Sequence, residues 1–270
     1  MVGSFLNVCI YRIPVGKSIH SPNRSFCPTC GNTILWYDNI PILSYLILKR
    51  KCRYCKHIIS IQYPIIELIT GLFFLLLLYR FGISLTFFGM CIFVSILIAA
   101  SVIDLQRYII PNKLVFPGLI IGFALAVIAA AMERQPMLLI PGIVGMLIGG
   151  TILYVLSIVG QAVFRKEAMG MGDVKLMAMI GLYLTTLPAL DITSWKSMIF
   201  LYIPRMVKLL LVVLFSSAFM GSIIGGIMML VRKKGRRNII PYGPFLAAGA
   251  LLALLYGNEI WVWYRSLMHR

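Results

Sequence analysis

The stretch GMGDVK, residues 170–175, lies between two apolar runs and places the carboxylate of Asp173 next to hydrocarbon. Keeping an acid beside a membrane span costs free energy, so its presence there predicts a functional role. Gly170 and Gly172 gain nothing for helix stability, but they let the backbone open or let another backbone approach closely. In the alternative interpretation, Asp173 only caps the helix that follows, because aspartate is a favoured N-cap residue.

The composition places the chain among membrane proteins. Of its 270 residues, 60% are hydrophobic and 12% are charged, and the mean hydropathy is +0.94. A soluble domain with one core does not have this composition. The net charge of +17 would suit a nucleic-acid partner, but the basic residues cluster in short loops between apolar runs, as the positive-inside rule describes. We therefore expect a polytopic membrane protein that contacts lipid and binds no nucleic acid.

The apolar runs predict an all-α protein with about seven full transmembrane helices and a partial one at the N-terminus. The partial segment, residues 1–13, is too short to cross about 30 Å of hydrocarbon. The full runs cover residues 61–79, 84–103, 114–132, 137–160, 174–190, 206–231 and 242–264. The run 174–190 is the shortest of them, and it is short for a helix that crosses the membrane perpendicularly. Residues 191–205, with their aromatic residues and proline, predict an interfacial segment on the outer side.

One sizeable polar region, residues 14–60, separates the N-terminal segment from the other runs. Its many Lys and Arg residues surround a single acid, Asp38, and this density of basic residues indicates a cytoplasmic location. The sequence thus predicts three parts. They are a partial membrane segment (1–13), a cytoplasmic four-cysteine domain (14–60) and a membrane domain (61–270).

Two Cys-x-x-Cys pairs in the polar region predict a metal site. Cys27 and Cys30 form the first pair, and Cys52 and Cys55 form the second, about 20 residues further on. Four thiolates are the ligand set that tetrahedral structural zinc prefers. Disulfides are the alternative, but a cytoplasmic face is reducing and disfavours them. We therefore predict a small zinc-ribbon-like domain.

A second acid, Asp104, ends the run 84–103 on the same predicted side of the membrane as Asp173. Asp104 would lie at the negative end of its helix, where an anion is disfavoured by about 0.3–1 kcal/mol, so a capping role does not explain it. The alternative is an ordinary loop acid, exposed to water beside Arg107. Two carboxylates brought close together share a proton, which is the arrangement that an aspartyl protease needs.

Two further charged residues lie beside these elements. Glu67 lies six residues into its apolar run, where an unpaired carboxylate would cost several kcal/mol, so it is protonated, paired or lining a polar cavity. Either the basic loop holds it at the interface, or it binds substrate or cofactor. Lys175 either reaches lipid phosphates or biases the two aspartates electrostatically. We assign Gly170, Gly172, Lys175 and Glu67 to support of the substrate or of the aspartates.

Several short motifs follow one another in order through most of the chain. They are Gly3-Ser4-Phe5-Leu6-Asn7-Val8, Tyr11-Arg12-Ile13-Pro14, the four cysteines, Trp36-Tyr37-Asp38-Asn39-Ile40-Pro41, Tyr63-Pro64 with Glu67, Ile103-Asp104 with Ile110-Pro111-Asn112, residues 170–175 and Pro241-Tyr242-Gly243-Pro244-Phe245. Together they resemble the motifs of prepilin peptidases, the membrane aspartyl proteases of type IV pilus and type II secretion systems.

The resemblance implies a reaction, a location and two catalytic residues. Asp104 and Asp173 would cleave the basic leader of type IV prepilins or type II secretion pseudopilins at the cytoplasmic face of the bacterial inner membrane. Members that keep the four-cysteine domain often also methylate the new N-terminus with S-adenosylmethionine. Members commonly have a glycine two residues before the third cysteine, where this chain has Arg50.

Two other classes of protein share part of these features. An intramembrane protease of the presenilin type shares the Gly-x-Gly-Asp sequence but is not expected to carry a four-cysteine domain. A membrane scaffold or transporter stapled by zinc would have no need of two acids on one side of the membrane.

Overall fold

The protein is described by a computed structural model that covers residues 1–19, 26–27, 29–165, 169–186, 203–231 and 241–268. The helices are α1 (Val2–Arg12), α2 (Leu43–Ile47), α3 (Gln62–Phe81), α4 (Leu85–Arg107), α5 (Asn112–Met132), α6 (Leu139–Phe164), α7 (Met171–Thr186), α8 (Ile203–Val231) and α9 (Gly243–Met268). In this part of the chain β geometry is confined to two isolated bridges, Phe26 with Thr33 and Lys51 with Ile58. The predicted all-α class is confirmed.

Six of the described helices are long and apolar enough to cross a membrane, namely α3, α4, α5, α6, α8 and α9. The polytopic class is therefore confirmed. The predicted span 174–190 corresponds to α7, which the structure describes from Met171 to Thr186. Residues 187–190 and most of the predicted interfacial segment 191–205 lie outside the described residues. The N-terminal apolar segment forms the 11-residue helix α1.

α7 lies inside the bundle. Nearly all its residues from Val174 to Thr186 are buried, and α4, α5, α6, α8 and α9 all contact it. The closest approach is to α6, where a side chain at Gly181 would overlap the carbonyl oxygen of Gly145. The described part of α7 is therefore surrounded by other helices.

α3 lies at the edge of the bundle and presents one face outward. Leu68, Leu72 and Leu75 are exposed, as expected of a lipid-facing helix, while the other side packs on α1 and α4. The contact with α1 is close, because a Cβ atom at Gly3 would come within 2.7 Å of the Cα atom of Glu67. α1 and α3 thus pack directly on each other at Gly3 and Glu67.

Candidate functional site

Asp104 and Asp173 come from different helices and lie near each other. Asp104 is in the last turn of α4 and is 5% exposed, whereas Asp173 is in the first turn of α7 and is 9% exposed. Their carboxyl groups are close enough to interact electrostatically. The structure therefore places the two acids together and buried, and Asp104 is not the exposed loop acid of the alternative interpretation.

Close packing of three segments produces this arrangement. Ile110, in the turn after α4, packs between Gly172, in the first turn of α7, and Gly243, the first residue of α9. A Cβ atom at Gly172 would come within 2.9 Å of the Ile110 Cβ, and one at Gly243 would come within 3.1 Å of the Ile110 Cδ1. The flexibility expected of Gly172 is thus used for the close approach of another backbone.

The two carboxylates have different hydrogen-bond partners. Asp104 Oδ2 accepts a hydrogen bond of 2.9 Å from the backbone N–H of Gly243, the first residue of α9. The positive end of that helix dipole favours the ionised carboxylate. The Asp173 carboxyl has a backbone hydrogen bond from Gly170, at the N-cap position of α7, but its Oδ1 is buried and accepts no hydrogen bond from the described residues. Neither acid forms an ion pair with a described Lys or Arg, so a shared proton is the economical way to bury both.

Gly170 and Lys175 hold the start of α7 in place. The carbonyl oxygen of Gly170 accepts a hydrogen bond of 3.1 Å from the Asp173 N–H, which begins the helix. Lys175 Nζ donates a hydrogen bond of 3.0 Å to Asn112 Oδ1 and lies 5.5 Å from the centre of the Phe116 ring. Lys175 therefore ties α7 to α5 and contacts neither aspartate.

Glu67 belongs to a different place in the molecule. Its Oε2 accepts a hydrogen bond of 2.8 Å from the backbone N–H of Ile42, which links α3 to the polar region. Glu67 also lines a cavity of about 380 Å³ between α1, α3 and the four-cysteine region, and the residues lining that cavity include neither Asp104 nor Asp173. The structure does not bring Glu67 to the aspartates.

The four cysteines form one cluster. The sulfur atoms of Cys27, Cys30, Cys52 and Cys55 all lie within 4.8 Å of one another, and those of Cys27 and Cys55 are 3.8 Å apart. Ligands at a Zn–S distance of about 2.3 Å in a tetrahedron have their sulfurs about 3.8 Å apart, so the set fits a zinc ion. Hydrogen bonds from backbone N–H groups lower the pKa of the Cys27 thiol to about 6, against the opposing effect of burial. All four thiols are free rather than joined as disulfides.

Two similar turns build the cluster. The N–H groups of Gly31 and Lys56 donate to the carbonyls of Cys27 and Cys52, each four residues earlier, and both donors have positive φ values, 71° and 58°. Each turn also lies inside one of the two β bridges. Each Cys-x-x-Cys pair thus forms a knuckle, and the two knuckles face each other across the cluster.

An ion pair fastens the second knuckle to the segment before α2. Arg53 Nε and Nη2 donate to the two carboxylate oxygens of Asp38 over 2.7 and 2.6 Å. The hydrogen bonds and charge of Arg53 hold the pKa of the Asp38 carboxyl below its ordinary value. The single acid of this basic region thus has a structural partner.

Sequence reasoning missed the role of Gly243. The motif around it was noted only as part of a resemblance, because a glycine offers no side chain for chemistry. Its contribution is a backbone N–H, and the available signal was a Pro-Tyr-Gly-Pro sequence at the start of an apolar run. The neighbouring Tyr242 is held by a hydrogen bond of 2.8 Å between its hydroxyl and that of Ser217.

Comparison with known proteins gives a consistent picture. The family model of the bacterial peptidase A24 N-terminal domain matches residues 1–81, and that of the type IV leader peptidase family matches residues 91–229. A Myxococcus xanthus protein named prepilin leader peptidase/N-methyltransferase is 41% identical over 197 residues, which cover 73% of this chain and 57% of that protein. A Bacillus subtilis protein of the same name is 35% identical over 265 residues, which cover 98% of this chain and 94% of that protein.

No solved structure was found to match the chain significantly. The family models together reach from the N-terminal helix, through the four-cysteine cluster and both aspartates, into α8. The chain therefore belongs to the type IV leader peptidase family, and it is a multi-pass membrane enzyme.

Proposed function

We propose that the protein is a prepilin leader peptidase that hydrolyses a peptide bond with Asp104 and Asp173. The observation that carries the proposal is the burial of two neighbouring carboxyl groups without a basic partner among the described residues. The names of the relatives support prepilins or the related pseudopilins as the substrates. Neither a scaffold nor a transporter would require this pair.

The different surroundings of the two acids suggest their roles in the resting enzyme. Asp104 is the ionised member, because the Gly243 N–H and the start of α9 stabilise its negative charge. Asp173 carries the shared proton, because its buried Oδ1 lacks a donor. Asp104 then takes a proton from water as the water oxygen attacks the peptide carbonyl, which Asp173 polarises through its proton. The proton held by Asp104 passes to the leaving amine, and the peptide bond breaks.

The location of the reaction follows from the charge distribution. The positive-inside rule places the basic polar region on the cytoplasmic side. The last turn of α4 and the first turn of α7 lie on that same side in the topology predicted from the sequence. We therefore infer that the enzyme resides in the bacterial inner membrane and cleaves substrates at its cytoplasmic face.

The four-cysteine cluster and the methyltransferase activity form the second half of the proposal. Cys27, Cys30, Cys52 and Cys55 would hold one structural zinc ion, which stabilises a region too small to keep its own core. The relatives are named N-methyltransferases as well as peptidases, so we propose that this chain also methylates the new N-terminus with S-adenosylmethionine.

The test of the peptidase is substitution of each aspartate in the purified full chain. Asp104→Asn and Asp173→Asn should each lower the cleavage rate of a prepilin by at least about 10²–10⁴-fold, because each removes acid–base chemistry and keeps the shape. Mass spectrometry of the products measures cleavage, and zinc content and helicity report folding. The matched control is Glu259→Gln. The Glu259 side chain is 59% exposed, and its Oε1 lies 3.8 Å from Arg80 Nη2. Near wild-type cleavage by either aspartate variant would exclude the proposed mechanism.

A further inference from the structure

The cavity beside Glu67 has the size of a small-molecule site. Its volume of about 380 Å³ falls in the range of roughly 300–1,000 Å³ that is typical of ligand pockets. Asn7 and Tyr11 of α1, Tyr63 and Glu67 of α3 and Tyr45 of α2 all contribute to its walls. The cavity lies against the four-cysteine region and contains neither aspartate of the proposed peptidase, so it is available for another task.

Asn7 contributes a hydrogen-bond acceptor of fixed orientation, its amide oxygen, to this cavity. The side chain is 4% exposed, and its Nδ2 donates to the carbonyl oxygens of Gly3 and Tyr63 over 3.3 and 3.2 Å. Rotating the amide by 180° would turn its oxygen toward these two carbonyls, so the orientation is determined. Asn7 Oδ1 is buried and accepts no hydrogen bond from the described residues. A buried acceptor without a partner costs about 1–3 kcal/mol, which a donor on a ligand would recover.

Two further polar groups of the same cavity have hydrogen-bonding capacity left for a ligand. The hydroxyl of Tyr45 is buried and makes no hydrogen bond with the described residues. Glu67 uses one oxygen for the Ile42 N–H and forms no ion pair with any described Lys or Arg. Arg12 and Arg53 also line the cavity, but Arg53 is paired with Asp38, and Arg12 donates to the carbonyl oxygens of Ser18 and Ile19. Glu67 and Asn7 thus offer a carboxylate and an amide oxygen to a ligand that brings a positive charge and hydrogen-bond donors.

Aromatic side chains complete the walls. Tyr11, Phe26 and Tyr63 line the cavity together with the polar groups. Aromatic rings pack well against a planar base and also attract cations through their faces. A ligand that joins an amine to an aromatic base would match both kinds of lining residue.

We propose that this cavity binds the methyl donor S-adenosylmethionine, with Glu67 and Asn7 Oδ1 receiving its α-ammonium group. The aromatic residues accommodate the adenine ring, and the Tyr45 hydroxyl donates to or accepts from the ligand. The inference rests on the methyltransferase part of the proposed function, and it names the residues that would carry that part. It does not depend on the two aspartates.

The test measures binding directly, by isothermal titration calorimetry of the zinc-loaded full chain in detergent. Wild-type protein should bind S-adenosylhomocysteine, and Glu67→Gln should weaken that binding at least tenfold while it keeps the acceptor for Ile42. Tyr45→Phe, which removes only the unpaired hydroxyl, should weaken it severalfold. The matched controls Glu259→Gln and Tyr79→Phe lie outside the cavity, the latter at a residue that is 94% exposed, and should bind like wild type.

A second ligand separates recognition of the amine from recognition of the base. 5′-Methylthioadenosine keeps the adenosine but lacks the amino acid, so Glu67→Gln should leave its weaker binding unchanged. Asp104→Asn should bind S-adenosylhomocysteine normally. The proposal is overturned if wild type binds no S-adenosylhomocysteine, if both cavity variants with full zinc content bind it unchanged, or if Glu67 instead discriminates a processed peptide with a free N-terminus. In each case prepilin cleavage by the wild type shows that the peptidase proposal stands separately.

Discussion

The backbone N–H of Gly243 donates a hydrogen bond of 2.9 Å to Asp104 Oδ2, which joins the start of α9 to the last turn of α4 across 139 residues of sequence. The donor belongs to a helix N-terminus, where unpaired N–H groups and the helix dipole both favour an anion. Asp173 also lies at a helix N-terminus and has a backbone hydrogen bond from Gly170, but its Oδ1 is buried without a donor among the described residues. The two acids therefore differ in that a glycine from a distant helix holds Asp104, whereas the backbone partner of Asp173 belongs to its own segment.

Substitution of Gly243 should therefore impair cleavage. In Gly243→Ala the new Cβ would lie 2.8 Å from Asp104 Oδ2, so the carboxylate or the helix has to shift and the hydrogen bond lengthens. We expect the cleavage rate to fall about 10–100-fold, since misplacement of a reacting group by about 1 Å costs about 10²-fold. The measurement is the initial rate of prepilin cleavage by purified protein.

Gly226→Ala is the control for the loss of a glycine. Nothing lies within 4 Å of a Cβ atom at Gly226, and alanine favours a helix interior, so this variant should cleave normally and be at least as stable as wild type. Normal cleavage by Gly243→Ala would show that the hydrogen bond to Asp104 has no part in the reaction.

The sequence predicts the aspartates and cysteines because their chemistry is local. An acid beside an apolar run and a pair of Cys-x-x-Cys motifs are each visible within a few residues. The contact between Gly243 and Asp104 is not visible in this way, because it depends on how α4 and α9 pack and uses only a backbone group. The burial of α7 is a similar case, since a hydropathy pattern does not distinguish a helix buried among helices from one that faces lipid.

Arg50 stands where the resemblance leads us to expect a glycine, and its backbone conformation gives a physical reason for that expectation. Its φ of 65° is left-handed, and its N–H and carbonyl are tied to Tyr45 and Ile59 by hydrogen bonds of 3.0 and 2.7 Å. A residue with a side chain costs about 1–2 kcal/mol in this conformation, whereas glycine adopts it readily. A glycine at this position would adopt the left-handed conformation without that strain.

Arg50→Gly should stabilise the four-cysteine region by up to about 1 kcal/mol, because relief of the left-handed strain outweighs the greater backbone entropy of glycine. The measurement is the rate of zinc release to a chelator, which should slow. Lys51→Gly is the matched control, since Lys51 does not have a positive φ and belongs to a β bridge, and it should speed release. Faster release from Arg50→Gly would show that the arginine side chain contributes contacts worth more than the strain.

The metal site yields a prediction of stoichiometry. Elemental analysis should find about one zinc per chain, because the four sulfur atoms form one tetrahedral set. Replacement of both Cys27 and Cys30 by Ser should abolish zinc binding, since two ligands remain. Cys91→Ser, at a buried cysteine of α4 outside the cluster, should retain the metal. Disulfides among the four cysteines of protein isolated under non-reducing conditions would contradict both the zinc site and its cytoplasmic location.

The methyltransferase and peptidase activities should be lost independently of each other. Cys52→Ser combined with Cys55→Ser removes zinc and disorders the region that frames the cavity beside Glu67, so N-methylation should be lost. Cleavage should fall less, because Asp104 and Asp173 are carried by helices whose backbone hydrogen bonds are satisfied within the membrane. Asp104→Asn should show the converse, leaving prepilin uncleaved but methylating a peptide that is supplied already processed.

Mass spectrometry of one reaction reports both activities, because removal of the leader and addition of a methyl group change the product mass by separate amounts. If the double cysteine variant loses cleavage completely while its membrane helices stay folded, the four-cysteine region must help to build the peptidase site or to present substrate to it. The contact between Glu67 and Ile42 would then be the first connection to test, because its hydrogen bond of 2.8 Å joins α3 directly to that region. Retained cleavage with lost methylation would instead locate the methyl-transfer site on the cysteine side of the molecule, since the aspartates would be intact in a protein that no longer transfers the methyl group.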